Sequence, residues 1–434
     1  MSILNQKNIL LDYVSSGMSH TRITYQSLQD MPETIEDIAK IFASCKGRNN
    51  HTFSFLYNAY TEARIGEVIN QYFKDSIHEV YSDSGGLQVI TAGKTVDNDT
   101  KFKVYETQAK YSDIAMSFDE IPLKLNNDKS KIGDTSNRFF DAENFEAAAM
   151  LSAKNLEEQI DYFIKGNHKT KPLMIVHGNN MGYYCKWAEI IYKLIPQEKH
   201  QFIGGISISG ASSGNGVLED VERMASFSQL PLPDEMKTHL HLLGVGSIVR
   251  ILPLLGFIIS GMFKPDLRVS YDSTTHTASM TRGNFFMENG KLLHYGRHDV
   301  GAMSRVKGFI DAEFPGYIGD IDPAILIEVF GLPRMELFEK YAHIPDIKRI
   351  YHLVFVLSFL TMVLNFTKLV DAACIDKNSF RRVCVDKNLD YLAHLPQVKT
   401  IDDYTSWFNA IRGSVKSIKI KHSGGLSTLD SFFG

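Results

Sequence analysis

The sequence predicts a (β/α)8 barrel of the TIM type with a mostly helical C-terminal region, and three observations carry that prediction. Eight short apolar runs recur along the first two thirds of the chain, longer amphipathic segments separate them, and most of the runs end on Gly, Asp, Asn or His, the residues that punctuate a strand-to-helix turn. At 434 residues and 49.0 kDa the chain is long enough for one barrel with insertions.

The runs are Asn8 to Tyr13, Phe53 to Asn58, Glu79 to Asp83, Ile114 to Asp119, Leu173 to His177, Phe202 to Ser207, Leu240 to Gly246 and Leu267 to Asp272. Helices are expected over Thr61 to Phe73, Ala142 to Lys165, Tyr183 to Leu194 and Leu218 to Gln229, and the polar stretch Leu125 to Thr135 reads as a surface loop. No G-x-G-x-x-G turn follows the first strand, which disfavours a doubly wound dinucleotide-binding sheet. After about residue 300 the alternation stops, and Asp320 to Phe408 reads as helical. The expected division is a barrel over 1–300 and a helical region with a basic tail over 301–434.

Composition bounds the function classes. With 44% hydrophobic and 22% charged residues the chain is an ordinary globular one. Lys+Arg 46 against Asp+Glu 50 leaves a net charge of -4, so nucleic-acid binding would need a local basic face. The first residues lack a basic stretch followed by an apolar one, and a cytoplasmic location is expected. Cys45, Cys185, Cys374 and Cys384 are scattered without a C-x-x-C pair and are expected to be reduced. Two uncharged runs, Ile251 to Phe263 and Leu353 to Leu364, are shorter than the roughly 18–20 residues of a membrane span and are expected to be buried helices.

The chemistry-bearing residues fall at the ends of the predicted strands, where such barrels place their sites. Asp83 leads Ser84, Gly85, Gly86, Leu87 and Gln88, a segment in which two glycines let backbone approach a planar ligand, although an Asx turn would use the same residues. Asp119 closes the next strand and can accept hydrogen bonds from the ring N–H and exocyclic amine of a base, or cap a helix. His177, before Gly178 and two asparagines, can read a heterocycle's edge or sit as a structural histidine. Gly204 and Gly205, and Gly244 with Gly246, can expose backbone groups to a bound base or serve close packing. Asp272 ends the last strand, where a carboxylate can attack an anomeric carbon.

In this order the segments resemble the tRNA-guanine transglycosylase superfamily, whose members carry Asp-Ser-Gly-Gly-Phe-Gln, Phe-Asp-Glu, Ile-Val-Gln-Gly, Gly-Gly-Leu, Gly-Val-Gly and Phe-Asp segments. Here these read Asp83 to Gln88, Phe118-Asp119-Glu120, Ile175 to Gly178, Gly204-Gly205-Ile206, Gly244-Val245-Gly246 and Tyr271-Asp272, across residues 78–285. The resemblance implies that Asp272 is the nucleophile at C1′ and Asp83 the general acid/base. It also implies that Asp119 holds the base, with Ser84, Gly204, Gly205, Ile206, Gly244, His177 (usually Gln) and Leu243 (usually Met) around it. The Cys-x-Cys-x-x-Cys zinc site of the tRNA-acting members is missing, and Cys374, Cys384 and His394 are too widely spaced to replace it, so no metal or other cofactor is expected.

That combination looks more like the divergent DNA-guanine transglycosylases (the DpdA group), several of them virus-encoded. They insert a 7-deazaguanine such as preQ0 into DNA. The implied partners are DNA and the free 7-deazaguanine base, with Arg282, Arg381, Arg382, Arg412, Lys416, Lys419 and Lys421 as candidates for holding the strand. The alternatives are the same chemistry on tRNA, a catalytically silent nucleic-acid-binding subunit, or a glycoside hydrolase using two carboxylates.

Overall fold

All eight apolar runs become parallel strands, and their order around the ring is their order in the chain. The computed structural model describes residues 2–17, 32–86, 97–125, 138–210, 216–296 and 299–415. The strands are β1 (Leu10–Ser15), β2 (His51–Asn58), β3 (Val80–Asp83), β4 (Ile114–Met116), β5 (Lys171–Val176), β6 (Ile206–Ile208), β7 (His239–Leu242) and β8 (Arg268–Ser273). Each pairs with the next and β8 closes on β1, in register from Leu10 opposite Arg268 to Ser15 opposite Ser273. The (β/α)8 expectation is therefore met.

The expected helices form as α1 (Ala63–Val68, continuing through a wider π turn over Ile69–Phe73), α2 (Phe145–Lys165), α3 (Met181–Leu194) and α4 (Val217–Gln229). Local chemistry sets their starts. Asn180 caps α3 by accepting the Tyr183 amide at 3.1 Å, satisfying an amide that would have no partner inside the helix. Most of the predicted loop Leu125 to Thr135 lies outside the described residues; the chain on either side pairs as a short hairpin, Leu123–Leu125 with Arg138–Phe140.

Side chains alternate in and out along each strand. In β2, Phe53, Phe55 and Tyr57 face the helices, while Leu56 points into the barrel and Ser54 bonds to the interior carboxylate of Asp12. The interior has three levels. Where the strands begin, Asp12 accepts from Thr52, Ser54 and Tyr81, and Arg268 reaches both Asp12 and Glu79. In the middle, Val14, Leu56, Tyr81, Ile114, Met116, Leu173 and Ile175 form an apolar plug. At the far end the inward positions carry Asn58, Asp83, His177, Leu243 and Asp272.

The two uncharged runs become α5 (Ile248–Ser260) and part of α6 (Ile347–Ala373). By length and composition α6 could cross a membrane, but 89% of its most apolar window is buried against the rest of the protein. Phe359 lies 6.0 Å from Phe53, and Phe366 packs on Tyr13, Tyr271 and His276 with ring centroids 6.0, 6.2 and 5.2 Å away. Asn49 donates to the Leu364 carbonyl and the Thr367 hydroxyl. One hydrophobic core runs from Leu4 to Phe408, and the helical region expected after residue 300 packs over the outer faces of β1, β2 and β8.

Burial of each of these rings is worth roughly 1.5–3 kcal/mol, so removing residues 301–434 costs more than a typical domain's net stability. A fragment of residues 1–300 is expected to lack a cooperative thermal transition and to expose apolar surface to a hydrophobic dye. A soluble fragment with a sharp transition by circular dichroism would instead support two independent domains.

Candidate active site

Strand alternation gathers the acidic residues. Asp83 shares the inward phase of Tyr81, His177 that of Leu173 and Ile175, Leu243 that of His241, and Asp272 that of Arg268 and Ser270. All stand where the strands end, on one face of the barrel, with Asp119 three residues past β4. The apolar plug closes the interior beneath them.

Asp272 is held from three sides. The Gly244 amide donates to its Oδ1 at 2.9 Å, the Ser16 hydroxyl to its Oδ2 at 3.5 Å, and His241 Nε2 stands 3.4 Å from Oδ1. His241 is itself fixed, because the Ser270 hydroxyl bridges its Nδ1 (2.8 Å) and His239 Nε2 (2.7 Å), and its ring stacks on Tyr81 at 5.5 Å. The carboxylate is 13% exposed, enough to meet a substrate from the open end.

The glycines after Asp83 are required by packing. Gly85 has φ +83°, and a Cβ there would lie 2.6 Å from Tyr60; a Cβ on Gly86 would lie 3.1 Å from the Asp119 carbonyl oxygen and 3.2 Å from its Oδ1. The loop is thereby pressed onto Asp119, and Ser84 is buried beside it. Asn58 orients Asp83 by donating to Oδ2 at 3.3 Å, while its own Oδ1 accepts the Tyr60 and Thr61 amides. Burial, then the charges of Asp119 and Asp272, push the Asp83 carboxyl up to about 7, against the pull of the Gly85 and Ser84 amides.

Asp119 is not a free acceptor. Its Oδ2 lies 2.5 Å from His177 Nε2, and the histidine is buried edge-on against Trp187. His177 therefore orients Asp119, a placement closer to support than to the direct base reading expected of it. Leu243 is half-buried over the apolar plug at the mouth.

Other expected residues lie elsewhere. Gly204, Gly205 and Ile206 sit at the start of β6. Gly204 packs on Lys171 and Gly205 on His239, both at strand beginnings, and the Ile206 side chain faces the helices. Gly204 lines a cleft of about 320 Å³ at that opposite end, with Lys171, His239 and Arg268. These three residues are removed from the base-binding set. Arg381 and Arg382 are exposed on α7 (Lys377–Asp386), which follows the Cys374 carbonyl that accepts the Ile3 amide, again toward the strand beginnings.

Arg282 is exposed at the end of the short helix Thr275–Thr281 that follows Asp272. Arg412 is exposed on α8 (Ile401–Val415), and its charge acts on Glu222, which accepts the Met181 amide just past the His177 loop. Leu87, Gln88, Lys416, Lys419 and Lys421 lie outside the described residues.

Asn58, Ser16 and His241 were not singled out from the sequence; the inward phase of β2 and β7 was the signal that could have found Asn58 and His241. Among the described residues, Asp12, His78 and Glu79 come within metal-ligand spacing of one another. Arg268 forms ion pairs with both carboxylates of that cluster.

No protein-family model and no curated protein matches the chain. Solved structures do, among them the biosynthetic arginine decarboxylase SpeA from Campylobacter jejuni, at 9% identity over 83% of this chain with a TM-score of 0.31. The chain spans 63% of that enzyme's length. At this level the likeness carries no information about activity.

A carboxyl raised to about 7 in the folded state and near 3.9 in the unfolded chain is protonated only in the folded protein between those values. Folding stability therefore falls as pH rises from about 4 to about 7. Asp371, also pushed up to about 7 by burial, adds to the same slope. Asp83→Asn should make the slope shallower and leave the variant more stable than wild type at alkaline pH, by roughly 1–2 kcal/mol after solvent screening. Urea melts across that range measure it; an unchanged slope would show that Asp83 titrates normally.

Proposed function

We propose that the protein is a DNA-guanine transglycosylase, exchanging guanine in DNA for a 7-deazaguanine base such as preQ0 by double displacement. The observation that carries the reading is the division of labour between two carboxylates at one barrel mouth. Asp272 is fixed by the Gly244 amide, Ser16 and His241, whereas Asp83 is poised to exchange a proton near neutral pH.

On this reading an Asp272 oxygen attacks C1′ of the sugar, the bond from C1′ to the guanine nitrogen breaks, and the leaving base takes the proton that Asp83 carries. The free 7-deazaguanine then returns a proton to Asp83, its ring nitrogen attacks C1′, and Asp272 leaves. The steps balance without an oxidant or a nucleotide cofactor. Asp119, oriented by His177, accepts from the N1–H and 2-amino donors of the base, and Leu243 covers its face.

The sequence favours DNA over tRNA because it resembles the DNA-acting group and lacks the Cys-x-Cys-x-x-Cys segment of the tRNA-acting one. Duplex DNA requires the target nucleotide to be flipped out, at a cost of a few kcal/mol. Arg282, after the short helix that follows Asp272, and Arg412, near Glu222 and the His177 loop, are described candidates for holding the strand, and the sequence after Arg412 carries Lys416, Lys419 and Lys421.

The test offers a labelled 7-deazaguanine with duplex DNA, single-stranded DNA and tRNA in parallel. Label is expected in DNA, with a trappable protein–DNA adduct that Asp272→Asn loses along with about three orders of magnitude of exchange. Label in tRNA alone would reassign the substrate. Wild-type exchange by Asp272→Asn would remove that residue from the nucleophile role, and no transfer to any of the three would refute the reading.

A further inference from the structure

The loop that holds Asp272 is itself held by a buried charge cluster. Arg223 on α4 is fully buried and reaches Asp220 one turn earlier at 2.6 Å; Arg250, in the first turn of α5, binds both oxygens of the same Asp220 at 2.8 and 3.0 Å. The free ends of the two guanidinium groups then reach consecutive backbone carbonyls. Arg223 Nη1 donates to the Leu243 carbonyl at 3.2 Å and Arg250 Nη1 to the Gly244 carbonyl at 2.8 Å.

The carbonyl of Leu243 and the amide of Gly244 belong to one peptide unit. In a trans peptide they point in opposite directions, and the unit's dipole aligns with both. Arg223 therefore stands at the negative end of that dipole while the positive end, the Gly244 N–H, points at Asp272 Oδ1 at 2.9 Å. Hydrogen bonds in such a chain polarise one another.

Burial disfavours the charged form of Arg223, and the charges of Asp220 and, across the peptide, Asp272 are among those that favour it.

We propose that Arg223, Asp220 and Arg250 are positioning residues for Asp272, which hold its carboxylate aimed by acting through the Leu243–Gly244 peptide. The proposal deepens the reading of Asp272 as nucleophile and rests on it for its kinetic consequence. Its structural consequence is independent of that reading.

The sequence offers a direct probe of this peptide. Leu–Gly pairs occur only at 243–244 and 255–256, so labelling Leu with 13C at the carbonyl and Gly with 15N isolates two correlation signals, and Asp272→Asn identifies the one of interest. Arg223→Met is expected to move that signal in both the carbonyl and amide dimensions, with the amide proton shifting upfield as its bond to Asp272 weakens. Formation of the covalent adduct should slow about 10- to 100-fold, with the KM for the free base nearly unchanged.

Arg250→Lys keeps the charge while losing the fork, and is expected to give a smaller shift and a smaller slowing, which serves if Arg223→Met does not fold. A signal unmoved by folded variants, or adduct formation within twofold of wild type, would overturn the proposal. If the wild-type protein transfers no base at all, the proposed function falls, and the peptide signal alone decides this inference.

Discussion

A closed ring of parallel strands gives every side chain one of two directions, and this restriction governs the rest of the molecule. Once β8 pairs with β1, the phase of each strand decides whether a residue enters the interior or meets the helices. The inward residues sort by height: a satisfied ionic group around Asp12 and Arg268 where the strands begin, an apolar plug, then the carboxylates. The plug separates the two polar levels. Its low polarity beneath Asp83 favours the neutral acid, and the neighbouring charges of Asp119 and Asp272 add to that preference.

The outward phase has a matching requirement. Tyr13, Phe53 and Tyr271 are large aromatic residues on the outer faces of β1, β2 and β8, and they need a cover. The cover comes from α6, far along the chain, through Phe359 and Phe366. The strands that lead to Ser16 and Asp272 are thus braced by the C-terminal region, so the position of the Asp272 carboxylate depends on residues beyond 340.

Much of this was legible in the sequence, because parallel barrel strands are short apolar runs with turn residues at their ends. Asp83, Asp119, His177 and Asp272 were found by looking at those ends, and Leu243 through the resemblance. The same rule misplaced Gly204 and Gly205: the run Phe202 to Ser207 was taken as a strand, but the chain enters β6 only at Ile206, so the glycine pair precedes the strand. A short apolar run does not announce at which of its residues the strand starts. That the core continues past residue 300 was not legible either, since the pattern that ends there is only the alternation of elements. Arg223 was illegible because its spacing from Asp220 is that of an ordinary exposed helix pair; only the packing of α4 and α5 against the end of β7 buries it.

Three carboxylates crowded at one mouth oppose one another, and the protein tolerates this by treating each differently. Asp119 shares its charge with His177, and Asp272 faces an amide backed by Arg223. Among the described residues Asp83 has Asn58 and the amides of its own loop, and burial first, then the charges of its two neighbours, leave it holding a proton. On the proposed reading that asymmetry is what exchange of a base requires. The proton must leave with guanine and return with its replacement, so its holder has to release and regain it at similar cost, which a carboxyl near 7 does and an ordinary one does not. Asp119 and Asp272, by raising Asp83, thus take part in proton transfer without carrying the proton themselves.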